Sequence, residues 1–258
     1  MKFLPMVFGI FAQFLFGQNC LEIKFLQLAG NEFQARTLNE FKSDYQQSHY
    51  RSLEFLNIDE TFEEEKKVES IGNNIVIATT SHIFQETDDN ITYKNFLSDS
   101  LVDYDYMMGK SNHVNIVQKI PEINWQIQLE KDSILGFTVQ KAEGKFGGRD
   151  YTAWFASDIS ISDGPFKLNG LPGMILKAES EDGFVSFIAQ EINIFKGECA
   201  IDNPLISHAQ AAVYTLKQKR EEEIRNVKKN KAYMHSKTGG SYFNYDMSGG
   251  IEKPDSIE

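Results

Sequence analysis

Residues 104–111 read YDYMMGKS and end in Gly109-Lys110-Ser111, the close of a phosphate-binding loop. Tyr104 stands where the first glycine of such a loop belongs, so the backbone has no means of wrapping a phosphate. Asp103 and Asp105 do not start a calcium loop, because Met107 and Met108 occupy positions that need a ligand and a glycine. The five histidines, His49, His82, His113, His208 and His235, show no metal spacing, so a zinc site would have to be assembled from distant parts of the chain. There is no G-x-S-x-G elbow and no cysteine with a local catalytic signature. The expectation is no catalytic residue, no metal and no cofactor. Cys20 and Cys199 are the two cysteines, and in an oxidising compartment they can pair. Closing so long a loop would contribute ~4–5 kcal/mol.

The best polar-aromatic cluster is Arg149-Asp150-Tyr151 with Trp154, to which Trp125 and Phe155 are added as candidate ligand-binding residues. One reading has Arg149 and Asp150 closing the turn begun by Gly147-Gly148 and pairing locally. The other has them orienting a ligand at the mouth of a sheet whose rings line one face. Those rings either form an apolar groove or pack as core beneath a C-terminal helix. Asp158 and Asp163 are nearby carboxylates open to the same two readings.

A second cluster is GPFKLNGLPGMILKAES, residues 164–180, with Gly164, Pro165, Gly170, Leu171, Pro172 and Gly173. A phosphate cradle wants clustered glycines leading into a helix, whereas these lead into the β-type run Met174-Ile175-Leu176. Leu171 to Met174 fits a type II turn, with Pro172 fixing φ at about −65° and Gly173 supplying positive φ. Asp163-Gly164-Pro165 makes an earlier turn.

The elements that carry these clusters read as strands. Trp125, Ile127 and Leu129 alternate with Gln126, Gln128 and Glu130. FTVQKAEGKF follows after the turn-like Lys131-Asp132-Ser133, which predicts a hairpin. GRDYTAWFAS is apolar on both faces, and FVSFIAQEINIF, LEIKFLQLAG, NNIVIATTS and NITYKNF are further strands. Residues 31–66 are ambiguous and admit a short helix. From Ser207, Ala209, Val213, Leu216, Ile224 and Val227 recur at helical spacing, which predicts a long C-terminal helix over about 207–231. Gly-Gly pairs and Lys-Pro then predict a flexible tail over 235–258.

Residues 1–17, MKFLPMVFGIFAQFLFG, place Lys2 before an apolar run too short to span a bilayer, the pattern of a signal peptide cut between Gly17 and Gln18. Gly17-Gln18-Asn19 is a poor lipobox for Cys20. No other run could cross a membrane. The rest, 18–234, is long enough for a single domain. With 20 Phe, 10 Tyr and 2 Trp the composition leans towards strands, and a net charge of −11 argues against nucleic acid. Glu54 to Glu69 is acidic and Ser207 to Lys231 basic, as solvated faces usually are.

FGGRDYTAWFASDISISDGPFKLNGLPGMILKAE closely resembles the diagnostic core of the GLPGLI family of secreted bacterial proteins. The resemblance is specific from about Trp125 to Ile194, with Met174 for the usual leucine and Val139 where many relatives carry cysteine. It implies a mainly β (α+β) protein with a strongly curved antiparallel sheet, an open barrel similar to lipoprotein carriers. It also implies a secreted or periplasmic protein of a Gram-negative group, often encoded near TonB-dependent outer-membrane transporters, with no established activity. The expectation is a non-catalytic envelope protein that binds an apolar or extended ligand or a transporter partner. A hydrolase assembled in space and a purely structural role are the alternatives. Ser100, Ser133 and Ser256, each in Asp-Ser-aliphatic context, are candidate O-glycosylation sites.

Overall fold

Alternating inward and outward side chains build most of the described residues into strands. The computed structural model describes residues 19–30, 35–56, 69–71, 74–76, 90–107 and 112–238. The expected cleavage site, Gly109 to Ser111, His82, Ser256 and residues 239–258 of the expected tail lie outside the described residues. In chain order the strands are β1 (Asn19–Ala29), β2 (Ala35–Ser43), β3 (Gln47–Leu56), β4 (Glu69–Ile71), β5 (Asn74–Val76), β6 (Ile91–Asn95) and β7 (Ser100–Met107). They continue with β8 (Asn112–Lys119), β9 (Gln126–Ile134), β10 (Phe137–Phe146), β11 (Arg149–Ala156), β12 (Met174–Ser180) and β13 (Val185–Lys196). A short helix α1 (Pro204–Ser207), β14 (Val213–Thr215) and α2 (Leu216–Thr238) follow.

Twelve strands form one open sheet in the order β14-β8-β7-β6-β3-β2-β1-β13-β12-β11-β10-β9, and β4 pairs with β5 separately. All neighbours in the large sheet are antiparallel except β14, which lies parallel to β8. The protein is therefore mainly β. β1 has β2 on one side and β13 on the other, and a disulfide between Cys20 and Cys199 fixes its start. β12 and β13 are joined by three residue pairs, Lys177–Ile188, Ala178–Phe187 and Glu179–Ser186. The core gathers Leu21, Ile23 and Phe25 of β1 with Phe41, Tyr50, Tyr151, Phe155 and Phe187. Loop 157–173, between β11 and β12, adds Ile159, Ile161, Leu168 and Leu171 to the same core.

Three expectations are corrected. The long helix over about 207–231 is not formed: α1 ends at Ser207, Val213 belongs to β14, and helix begins only at Leu216, with side chains continuously described to Asn226. The stripe failed because Val213 pairs with β8, and a strand neighbour outweighs weak helical spacing. Residues 35–43 and 47–56 are strands, not helix, their alternation being hidden by buried polar residues such as Asn39, Ser43 and Ser48. The β9–β10 hairpin exists, but β9 runs on through Lys131-Asp132-Ser133 and turns at Leu135-Gly136, both at positive φ (50° and 84°). Among the described residues no helix is long and apolar enough to cross a membrane.

Candidate functional site

Loop 157–173 is where the polar chemistry of this protein concentrates. Asp163 turns its carboxylate inward, next to Lys94 of β6, and neither side chain reaches solvent. Besides that contact, the Lys94 ammonium donates to the carbonyls of Gly164 at 3.0 Å and Leu168 at 3.2 Å. Asp163 Oδ2 accepts from the Ser48 hydroxyl at 2.6 Å, and Oδ1 accepts from the Gly164 amide at 2.7 Å. Burial pushes the Lys94 ammonium below the usual lysine range, while the Asp163 carboxylate works against that shift. Four residues further along the loop, Lys167 reaches Asp103 of β7 at 2.9 Å, and the same carboxylate accepts from Thr92 at 2.9 Å and Gln118 at 3.0 Å.

The other end of the loop is held by Trp125. Its indole N–H donates to the Asn169 carbonyl at 2.7 Å, and the Asn169 amide donates to the carbonyls of Pro121 and Lys167. The ring rests on Gly144, where a Cβ would stand 2.6 Å from it. The loop thus spans three strands of one sheet half and the β9–β10 end of the other. Pro172-Gly173 closes it, but not as a type II turn. Gly173 has φ 154°, its amide bonds to Leu171 O, and the Met174 amide bonds to Ile159 O instead of closing the turn. Gly170 is the loop's other glycine at positive φ (90°). Gly164 packs against Ile175, and Pro165 O accepts from the Leu168 amide across a turn carrying Phe166 at φ 53°.

The candidate ligand residues do not converge. Tyr151 and Phe155 face the core, exposed by 1% and 2%. Trp154 lies on the opposite face of β11, half-buried. Arg149 pairs with Asp182 and stacks over Phe184 at 4.0 Å, whereas Asp150 meets Lys145 at 3.3 Å on the surface. Arg149 and Asp150 therefore do not pair with each other. Asp158 is exposed and takes no part in the loop's buried network. Ser133 is exposed on β9, and Ser100 is half-buried with its hydroxyl 2.8 Å from that of Ser98.

One arrangement outside the loop resembles a catalytic dyad. Glu40 is approached by His49 Nε2 at 3.4 Å, by Arg51 and by Lys42. His49 Nδ1, however, accepts the Asp202 amide at 2.7 Å, which leaves Nε2 to donate to Glu40. Both ring nitrogens are therefore committed to these partners. Among the described residues no cluster of three or more His, Cys, Asp or Glu is placed to hold a metal. A shallow hollow of about 200 Å³ beside α2 is lined by Val213, Tyr214, Gln218, Glu221, Glu222 and Arg225.

Sequence reading missed Lys94, Asp103, Lys167, Ser48 and Asn169 as a set. Lys94 is the one trace of a signal, a cation inside the strand ITYKN whose first four residues are all buried. A family match falls on the same loop. A sequence model of the family described as "Protein of unknown function (Porph_ging)" matches residues 147–177. No curated protein matches the chain. Among solved structures the chain is similar to PNGF-II in its P21 and C2 crystal forms, with TM-scores of 0.51 and 0.50. Identity is 14%, over 81% of this chain, which shows a shared fold only. The chain spans about a third of the length of those structures (34% and 33%).

Proposed function

We propose that the chain is an exported, non-catalytic cell-envelope protein of the GLPGLI type. It holds an extended segment of a partner, a TonB-dependent outer-membrane transporter, along its open sheet edge. The observation that carries this reading is β9. It is the last strand of the open sheet, and among the described residues no strand pairs with its outer side. Between Lys131↔Gln140 and Ile127↔Ala142 it carries two more residues than β10, a bulge that sets Leu129 outward with 95% exposure. Ile127 and Leu135 are each 48% exposed nearby. An edge of this kind accepts a further strand by main-chain hydrogen bonds, and the exposed apolar side chains supply anchors. The apolar-ligand reading moves with it, because Tyr151 and Phe155 fill the core while Ile127, Leu129 and Leu135 of the β9–β10 hairpin stay exposed. The likeness to the open barrels of lipoprotein carriers belongs to this reading, as does export, which the disulfide favours.

The test is a photocrosslinking residue placed at position 129, and separately at position 152, in the native host. A defined adduct from 129 that is absent from 152, and lost when Ile127 and Leu135 are made Ser, is the expected outcome. No adduct from 129, or the same adducts from both positions, overturns the reading.

A further inference from the structure

Lys94 and Asp163 are 69 residues apart in sequence, yet amine and carboxyl touch in a fully enclosed space. In water such a pair does not condense, because both groups are ionised and solvent favours hydrolysis. Two features of this place change that. Desolvation disfavours both charges, and passing one proton from Nζ to the carboxylate yields a neutral amine beside a carboxylic acid with no change in net charge. Burial already draws Lys94 in that direction. The loop also fixes the reacting groups in contact, and intramolecular orientation of this kind is equivalent to about 10⁵–10⁸ M of reactant. A second carboxylate, Asp103, lies opposite Thr92 on β7, two pairs along from Lys94↔Leu101 and so on the same face of the sheet. Its charge acts on Lys94 and would stabilise the positive charge that develops on Nζ during attack.

We propose that Lys94 and Asp163 form a self-modification site, condensing into an intramolecular amide that ties β6 covalently to loop 157–173. The Nζ lone pair attacks Asp163 Cγ, the tetrahedral carbon collapses, and the C–O bond to the hydroxyl breaks. That hydroxyl leaves as water with one proton from the amine, so neither oxidant nor co-reactant is needed. The product's polar atoms are provided for. The amide N–H keeps the Gly164 carbonyl as acceptor, and the remaining oxygen keeps the Ser48 hydroxyl as donor. In the ion-paired form the ammonium is satisfied by three acceptors, and this is the alternative the experiment must separate.

The full-length exported protein, reduced and digested with trypsin, decides the matter by tandem mass spectrometry. The expected product is Val68–Lys110 with Lys94 uncut, joined to Asp150–Lys167, and one water lighter than the two peptides together. Ordinary cleavage after Lys94 with both linear peptides at full mass overturns the proposal. So does a water loss confined to Asp150–Lys167, because the Asp163-Gly164 dipeptide can close to a succinimide with the same mass change. Lys94→Arg keeps the charge but cannot give this product and should restore full mass; a missing water in that variant also overturns the assignment. Asp103→Asn should slow the linkage, read as at least a tenfold smaller linked fraction in freshly made protein, with an unchanged β-sheet circular dichroism spectrum.

Discussion

Gly173 lies against Ala156 backbone to backbone: a Cβ at position 173 would stand 2.3 Å from the Ala156 carbonyl oxygen. The φ of 154° adds a conformation that residues with a Cβ rarely adopt. Gly173→Ala is therefore expected to cost more than ~2 kcal/mol, from backbone strain and a displaced carbonyl together. Urea unfolding checks it. A midpoint equal to the parent protein's would mean that the loop end is not fixed by this contact.

Trp125 offers a finer test of the same loop. Trp125→Phe keeps a ring over Gly144 but leaves the Asn169 carbonyl without its indole donor, an expected loss of ~1–3 kcal/mol. Gly144→Ala forces a Cβ into the Trp125 ring and should destabilise as well. Because both changes act through one side chain, the double variant should lose less than the sum of the two. Full additivity in denaturant melts would show that the ring and the loop are independent.

Reduction should separate the disulfide from the rest of the fold. Cys20 and Cys199 close a loop with a sequence separation of 179, and opening it should lower stability by up to about 5 kcal/mol. Guanidinium melts of Cys20→Ser with Cys199→Ser against the oxidised parent measure this directly. Equal midpoints would contradict it.

Acid should weaken the β2–β3 hairpin through Glu40. The His49 hydrogen bond, with Lys42 and Arg51, holds its carboxyl down at about 2 against an ordinary value of 4.5, although burial opposes them. The unfolded chain therefore takes up this proton first as pH falls. The stabilising contribution is complete above about 4.5 and is lost between there and about 2. Glu40→Gln should flatten the decline in melting temperature across that window, and an unchanged acid profile would contradict the assignment.

What the sequence disclosed followed from periodicity and turn chemistry. β1, β11, β12 and β13 were legible because their inward side chains alternate, β6 because Ile91, Thr92 and Tyr93 are β-branched or aromatic, and the segment around Pro172-Gly173 was legible as a constrained one. β2 and β3 were not, because Asn39, Ser43, Ser48 and His49 are polar residues turned inward, where pattern reading expects apolar ones. The Lys94–Asp163 pair was hidden for a different reason. Its members are 69 residues apart, and no local spacing relates a lysine in one strand to an aspartate in a loop. The aromatic stripe of β11 was visible, but only the sheet's packing could tell core from groove.

The place of β1 in the sheet bears on how the chain is made. Its Lys24 meets Glu191, 167 residues later, so the middle of the sheet cannot assemble until that residue has emerged. At ordinary synthesis rates of about 5–20 residues per second, the first strand waits roughly 10–30 s for its second neighbour. Throughout that interval β1 can pair with β2 but leaves its other edge open, so the unfinished chain must be kept from pairing with foreign strands until β13 arrives.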